Sequence, residues 1–263
     1  MQQAANQQEH ALKAILLLVL GMSFIPLNDA LIKVMSQRLP LAEIVAMRAV
    51  ISLAILVVFT NGLRSILALD SRTILLFVLR GMCLVAAMYL YFLALSSLPI
   101  STVVSIFFLS PLLITALSAV FLKEKIGSHR ITAVVLALLG VALIMRPGTS
   151  FFKLEMLLAL GSAVSYAIFQ VVTRRLKGVG DLPGLITIQH LCYLVSALPL
   201  LAYNLTGNWE ESGNQSVDFL LRQTVFPTFL ECTFFIVCAF AVLFLSFASS
   251  YAYRNAEASL IAP

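Results

Sequence analysis

A chain of 263 residues that is 61% hydrophobic and only 11% charged does not have the make-up of a soluble domain, which typically carries about 45–50% apolar and about 25% charged residues. Its formal charge of +5 is read as loop orientation in a polytopic membrane protein, with no nucleic-acid partner implied. The four cysteines, Cys83, Cys192, Cys232 and Cys238, lie in apolar segments without metal-ligand spacing, so they are expected as buried thiols, with no metal and no other cofactor.

Residues 1–11 read as a polar tail, and Lys13 precedes a long apolar run. No small-residue cleavage site precedes Asp29, so the run is expected to be a retained first span and not a signal peptide. A crossing needs roughly 20 apolar residues, which predicts spans near 12–35, 41–60, 73–97, 100–122, 130–146, 155–174, 184–203 and 226–252. The separators carry turn or charge signals: Arg38-Leu-Pro40, Asn61-Gly62, Leu98-Pro99, Lys123–Arg130, Pro147-Gly148 and Arg174–Pro183. A ninth helix starts at Glu257, and the chain stops at Pro263. The fold class is all-α, a membrane helix bundle.

With the N-terminus inside, ten Lys and Arg fall on the cytoplasmic side (Lys13, Arg64, Arg72, Lys123, Lys125, Arg130, Arg174, Arg175, Lys177, Arg254). Four fall on the other (Arg38, Arg146, Lys153, Arg222), which favours that orientation under the positive-inside rule. Leu20-Gly21 recurs as Leu160-Gly161, each in a helix followed by a basic end and a Leu-Pro pair at Pro40 and Pro183. Five helices fill 12–148 and a second set begins at 155, and an odd number per repeat turns the second copy upside down, an architecture common in secondary transporters.

The stretch "PISTVVSIFFLSPLLITALSAVFLKEKIGSHRITAVVLALLGVALIMRPG" resembles the end of an EamA-type repeat of the drug/metabolite transporter superfamily. The resemblance rests on a central proline, Pro111, then Leu122-Lys123-Glu124 at a turn, then Gly140-Val141-Ala142-Leu143-Ile144. "LAEIVAMRAV" resembles the second helix, with its arginine at Arg48. "LNDALIK", together with Leu79-Arg80-Gly81, is similar to a bacterial subgroup containing S-adenosylmethionine uptake carriers. The resemblance implies two inverted repeats of five helices, at 12–148 and 155–263, the second incomplete, so the chain is read as a fragment or truncation of a ten-helix carrier. It also implies a small-molecule metabolite as cargo and the bacterial cytoplasmic membrane as location. Glu124 would cap or clamp helices at the cytoplasmic turn.

Charges inside spans need a reason, because each costs ~2.5–3.5 kcal/mol at a helix centre by insertion measurements. Asp29 and Lys33 are four apart and share a helix face; either they pair near the helix end with Lys33 snorkelling as a structural clamp, or they mark the mouth of a path with Asn28. At ~1.5 Å per residue Asp29 and Arg48 lie at similar depth, so they are expected to pair, as a clamp or as a substrate or proton contact. Arg80 either snorkels to headgroups or contacts an anion.

Hydroxyl and aromatic stripes recur at helical spacing: Ser162, Ser165, Tyr166, Phe169 and Thr173 with Gln170; Ser246, Ser249, Ser250 and Tyr253; Ser101, Ser105, Phe108 and Thr115. They serve helix packing or line a cavity, and the family resemblance favours lining for Tyr89, Tyr91, Tyr166, Gln170 and Ser249. Gln189 and His190 stand alone on their span, which disfavours a catalytic constellation, and no catalytic residue is assigned. Glu231 is either a solvated end group or a proton-coupled carboxylate. Pro26, Pro111 and Gly161 are points where a helix can bend. No G-x-x-x-x-G-K-[ST] stretch is present, so nucleotide hydrolysis does not drive this chain. The resulting reading is a gradient- or exchange-driven carrier. An accessory membrane protein or truncated remnant is the alternative, followed by an intramembrane enzyme. The residues leave the oligomeric state open, a monomer included.

Overall fold

Prolines and short polar breaks divide this chain, and each leaves its mark on a helix. The computed structural model describes residues 16–122, 128–146, 148 and 151–255, and no strand occurs among them. Helix α1 (Leu16–Met35) breaks at Phe24, because Pro26 opens the second piece, Ile25–Met35, and has no amide for the preceding turn. Pro40 is extended and starts α2 (Leu41–Phe59). A short α3 (Gly62–Leu67) leads to α4 (Ser71–Ser97), which stops at extended Leu98 ahead of Pro99. Helix α5 (Ile100–Leu122) is two pieces, Ile100–Phe107 and Ser110–Leu122, and Pro111 opens the second. Then follow α6 (Ser128–Met145), α7 (Glu155–Arg175), α8 (Leu182–Leu205), α9 (Gln215–Leu221) and α10 (Phe229–Asn255).

Seven of these helices are long and apolar enough to cross a bilayer. The predicted fifth span, 130–146, is α6, Ser128–Met145, and is apolar over Thr132–Met145. The short helices α3 and α9 were not expected, since a scan for 20-residue spans passes over elements of two turns. The tail 1–11, Glu124 with the rest of its turn, and the helix expected from Glu257 lie outside the described residues.

The two halves of the chain interleave. Helix α4 lies between α7 and α8, while α2 packs on α8 and α10. The outward surface is apolar, with Val58, Leu136 and Leu143 exposed by 74%, 62% and 76%, as suits a lipid solvent. Polar groups sit inside instead, and the largest fully buried side chain among the described residues is Arg80. Ala159, Ala163 and Ala167 of α7 are fully buried, and Ser162 Oγ donates to the Ala87 carbonyl of α4 at 2.8 Å; small residues let these helices approach closely. Helices α4 and α8 cross at Gly81, where an added Cβ would stand 2.7 Å from Cys192 Sγ.

The α1–α2 turn, the end of α4 and α9 are stitched together by polar groups. Arg222 Nη1 donates to the Ser36 carbonyl at 3.1 Å, and Ser216 Oγ donates to the Leu93 carbonyl at 2.6 Å. Asn214 caps α9 by accepting from the Ser216 and Val217 amides. Asp218 accepts from the Ser212 amide and hydroxyl and from Trp209 Nε1; burial pushes its carboxyl up, but these bonds outweigh that and leave it below the usual range. Elsewhere Ser65 of α3 donates to Asp181, which also caps α8 through the Gly184 amide at 3.1 Å. Gly62 lies so near α8 that an added Cβ would stand 2.1 Å from Thr187 Oγ1 and 3.2 Å from the Pro183 carbonyl. Gly62→Ala is therefore expected to cost about 1–3 kcal/mol, read as a lower thermal midpoint in detergent; an unchanged midpoint would show that Thr187 gives way freely.

Candidate functional site

Arg80 sits on α4, fully buried. Its Nε donates to Thr173 Oγ1 of α7 at 2.6 Å, Nη1 to Gln189 Oε1 of α8 at 3.0 Å, and Nη2 to Ser250 Oγ of α10 at 2.8 Å. Its Cζ lies 4.2 Å from the centroid of Phe169. One planar cation thus ties four helices, which neither snorkelling nor anion contact anticipated. Gln189 is not alone either, since its Nε2 donates to Ser246 Oγ at 2.8 Å.

Asp29 is 2% exposed in the second piece of α1. Tyr91 of α4 donates its hydroxyl to Oδ2 at 2.6 Å, and Asn28 Nδ2 donates to Oδ1 at 3.3 Å. The expected direct pair with Arg48 does not form. Arg48 is 4% exposed on α2, with Nη2 on Met88 Sδ at 3.6 Å and Cζ 5.4 Å from the Phe92 centroid. The two charges attract across the bundle without touching. The rotation of each helix about its axis, which helix length does not fix, decides contact. Lys33 does not pair with Asp29; its Nζ donates to the Leu95, Ser96 and Leu98 carbonyls at 2.5, 2.8 and 3.1 Å.

An aromatic line joins the two charged centres. Tyr91 meets Phe107 at 5.2 Å, Phe107 meets Tyr166 at 5.2 Å, and Tyr166 meets Phe169 at 5.8 Å between centroids. Gln170 Nε2 donates to Tyr166 Oη at 2.6 Å and to Ser249 Oγ at 3.3 Å. Tyr91, Tyr166, Gln170 and Ser249 thus join the polar interior; Tyr89 packs partly buried against the core, and Ser105 is half-buried on α5. The stripe through Phe108 does not hold as one face. Phe108 faces outward, 69% exposed, as Ser101 does on the same helix, and Phe107 takes the inner position. Met88 and Phe92 were also missed, because apolar partners of a charge carry no polarity signal of their own. Glu231 lies away from these centres: it ion-pairs with Arg38 and accepts from the Thr228 amide and hydroxyl at 2.6 and 2.8 Å, a cap at the start of α10.

Two cavities flank this interior. One of about 310 Å³ between α5, α6 and α7 is lined by Leu109, Leu138, Val141, Met145, Phe152 and Leu157 among others; it is apolar and remote from the charges, so it carries none of the site's chemistry. The other, about 30 Å³, lies between the α1 break and α10, lined by Phe24, Ile25, Asn28, Ala241 and Val242 among others. Among the described residues no cluster of His, Cys, Asp or Glu has metal-holding geometry.

A 30% identical relative over 166 residues is the pseudopaline exporter CntI of Pseudomonas aeruginosa, covering 62% of this chain and 57% of that protein. The S-adenosylmethionine uptake transporter of Rickettsia felis is 27% identical over 150 residues, 56% of this chain and 50% of that one. The riboflavin transporter of Vibrio cholerae is 28% identical over 123 residues, 47% and 40% of the two chains. The chain spans about half the length of the curated relatives it matches. A crystal structure 20% identical in sequence superposes with a TM-score of 0.64 over 98% of this chain and 82% of the other, which shows the shared fold. The EamA-like transporter family matches residues 12–146, just over half of the 263 residues. This multi-pass membrane protein belongs to the EamA-like transporter family.

Proposed function

We propose that this protein is a secondary transporter that moves a small organic metabolite across the bacterial cytoplasmic membrane by alternating access. Its cargo is S-adenosylmethionine or a related amine or amino-acid-like compound, and its N-terminus is cytoplasmic. The single observation that carries the reading is the pair Asp29 and Arg48: opposite charges, both buried in membrane-crossing helices, held by Tyr91, Asn28 and Met88 and not by each other. Charges retained at that depth serve a pathway by default, and a carrier for a molecule bearing charge needs such counter-groups. Membership of a transporter family supports the class, and relatives named for S-adenosylmethionine uptake support the cargo.

Two inverted repeats, the first at 12–148 and the second beginning at 155, supply the moving parts. Space beside Asn28 amounts to about 30 Å³, room for one water, so cargo enters only when α1 and α10 part. The α1 break at Phe24 and the α5 break before Pro111 are the places where a helix can change direction at low cost.

Proteoliposomes holding the protein are expected to accumulate radiolabelled S-adenosylmethionine or another member of an amine and amino-acid panel. Asp29→Asn keeps the shape of the side chain but removes its charge and one of its two acceptor oxygens, and is expected to lower that uptake at least ~10-fold. A protein that moves none of the panel, or an Asp29→Asn form with full uptake, would overturn the reading.

A further inference from the structure

We infer that Arg48, and not Arg80, is the group that receives an acid function of the cargo, so that the transported compound carries a carboxylate; this rests on the transporter reading above. The two buried arginines differ in how their donors are used. Arg80 donates from all three of its nitrogens to Thr173, Gln189 and Ser250 and lies over Phe169. Arg48 is as well hidden, at 4% exposure, yet its Nε and Nη1 have no hydrogen-bond partner. Its remaining nitrogen has only Met88 Sδ, at 3.6 Å, and a thioether is a weak acceptor.

A guanidinium stays protonated in a protein and carries five N–H donors. Leaving most of them unmet in a desolvated interior is costly, which is why buried charges are nearly always paired. Asp29 does not meet this need. Its Oδ2 is held by Tyr91 and its Oδ1 by Asn28, and it makes no direct ion pair with Arg48. Around Arg48 the chain offers apolar and aromatic groups, Met88 and Phe92, which leave most of its donors unspent. A carboxylate supplies two oxygens in one plane, the geometry a guanidinium binds best.

The neighbouring groups complete the receptor. His190, 1% exposed, places Nδ1 against the Ile186 carbonyl at 2.9 Å. A carbonyl only accepts, so Nδ1 carries the proton and Nε2 is an acceptor, and Nε2 has no partner. Asn28 Oδ1 is a second acceptor without a partner, beside Asp29. Free donors therefore sit on α2 and free acceptors on α1 and α8, an arrangement for a compound with an acid at one end and hydrogen-bearing polar groups at the other.

The test is affinity selection. The protein in lipid nanodiscs is incubated with a small-molecule extract of bacterial cells, and retained compounds are identified by mass spectrometry. The retained compounds are expected to carry a free carboxylate, and their methyl esters to be retained at least ~10-fold less. Arg48→Gln is expected to abolish retention and Arg48→Lys to weaken it ~3–10-fold, because lysine keeps the charge but not the planar fork. Arg38→Gln, at the distant α10 cap, is the control expected to retain normally. Retained compounds without an acid group, esters held as well as acids, or undiminished retention by a folded Arg48→Lys protein would each overturn the assignment. The ester comparison uses the unaltered protein, so a variant that fails to fold does not decide the matter. Retention by no form, together with no uptake in proteoliposomes, would bring down the transporter reading itself, and this assignment with it.

Discussion

Arg80→Met is expected to destabilise the folded protein by about 3–5 kcal/mol, the cost of removing one side of a buried charged network. Methionine fills much of the volume, but Thr173, Gln189 and Ser250 each lose a charge-assisted bond, and they come from three different helices. Gln189 Oε1 and Ser250 Oγ would be left buried without this donor, and a buried acceptor left unpaired costs ~1–3 kcal/mol by itself. Contact of the cation with the Phe169 ring at 4.2 Å is lost as well. Thermal unfolding in detergent should show the midpoint falling by roughly 10 °C, at ~2–4 °C per kcal/mol for a chain of this size. Arg80→Lys should fall between, because one ammonium on a flexible stem does not span three acceptors on separate helices. Adding Thr173→Val and Ser250→Ala to Arg80→Met should cost less than the three changes summed, since the acceptors orphaned by the first are then gone. A midpoint unchanged in Arg80→Met would refute the role of Arg80 as the tie between α4, α7, α8 and α10.

Lys33→Met should cost about 2–3 kcal/mol, through the end of another helix. Helix α4 ends at Leu98 because Pro99 follows and has no amide to give the Leu95 carbonyl. The last carbonyls of any helix lack intrahelical partners. Lys33 Nζ meets three, at 2.5, 2.8 and 3.1 Å from the Leu95, Ser96 and Leu98 oxygens. Its charge also suits the negative end of the α4 dipole. Amide hydrogen exchange should accelerate in the last turn of α4 in Lys33→Met before the rest of the bundle responds. Lys33→Arg should restore part of the protection, having donors but a bulkier head. Equal exchange in all three forms would show that the carbonyls find other partners.

The crossings were legible in the sequence almost to the residue: the expected 41–60, 100–122 and 155–174 are Leu41–Phe59, Ile100–Leu122 and Glu155–Arg175. The reason is that a membrane helix closes its own backbone hydrogen bonds, so length, apolarity and the next proline settle where it runs. Prolines 26, 40, 99 and 111 stand at breaks or starts for the same local reason. The two short helices escaped because their signals, such as Asn214 capping α9, are polar and local, not hydrophobic.

What the chain by itself determined is that scarce charges would be kept inside an apolar bundle, since leaving them in lipid is too costly. Which charge meets which partner was decided by tertiary structure alone. Arg80 finds its acceptors 93, 109 and 170 residues away. Lys33 turned from its helix neighbour Asp29 to carbonyls more than 60 residues on. Asp29 and Arg48, both buried, turned to Tyr91, Asn28 and Met88 and not to each other. A helix's length is a property of its own residues, whereas the direction a side chain faces depends on every helix packed around it.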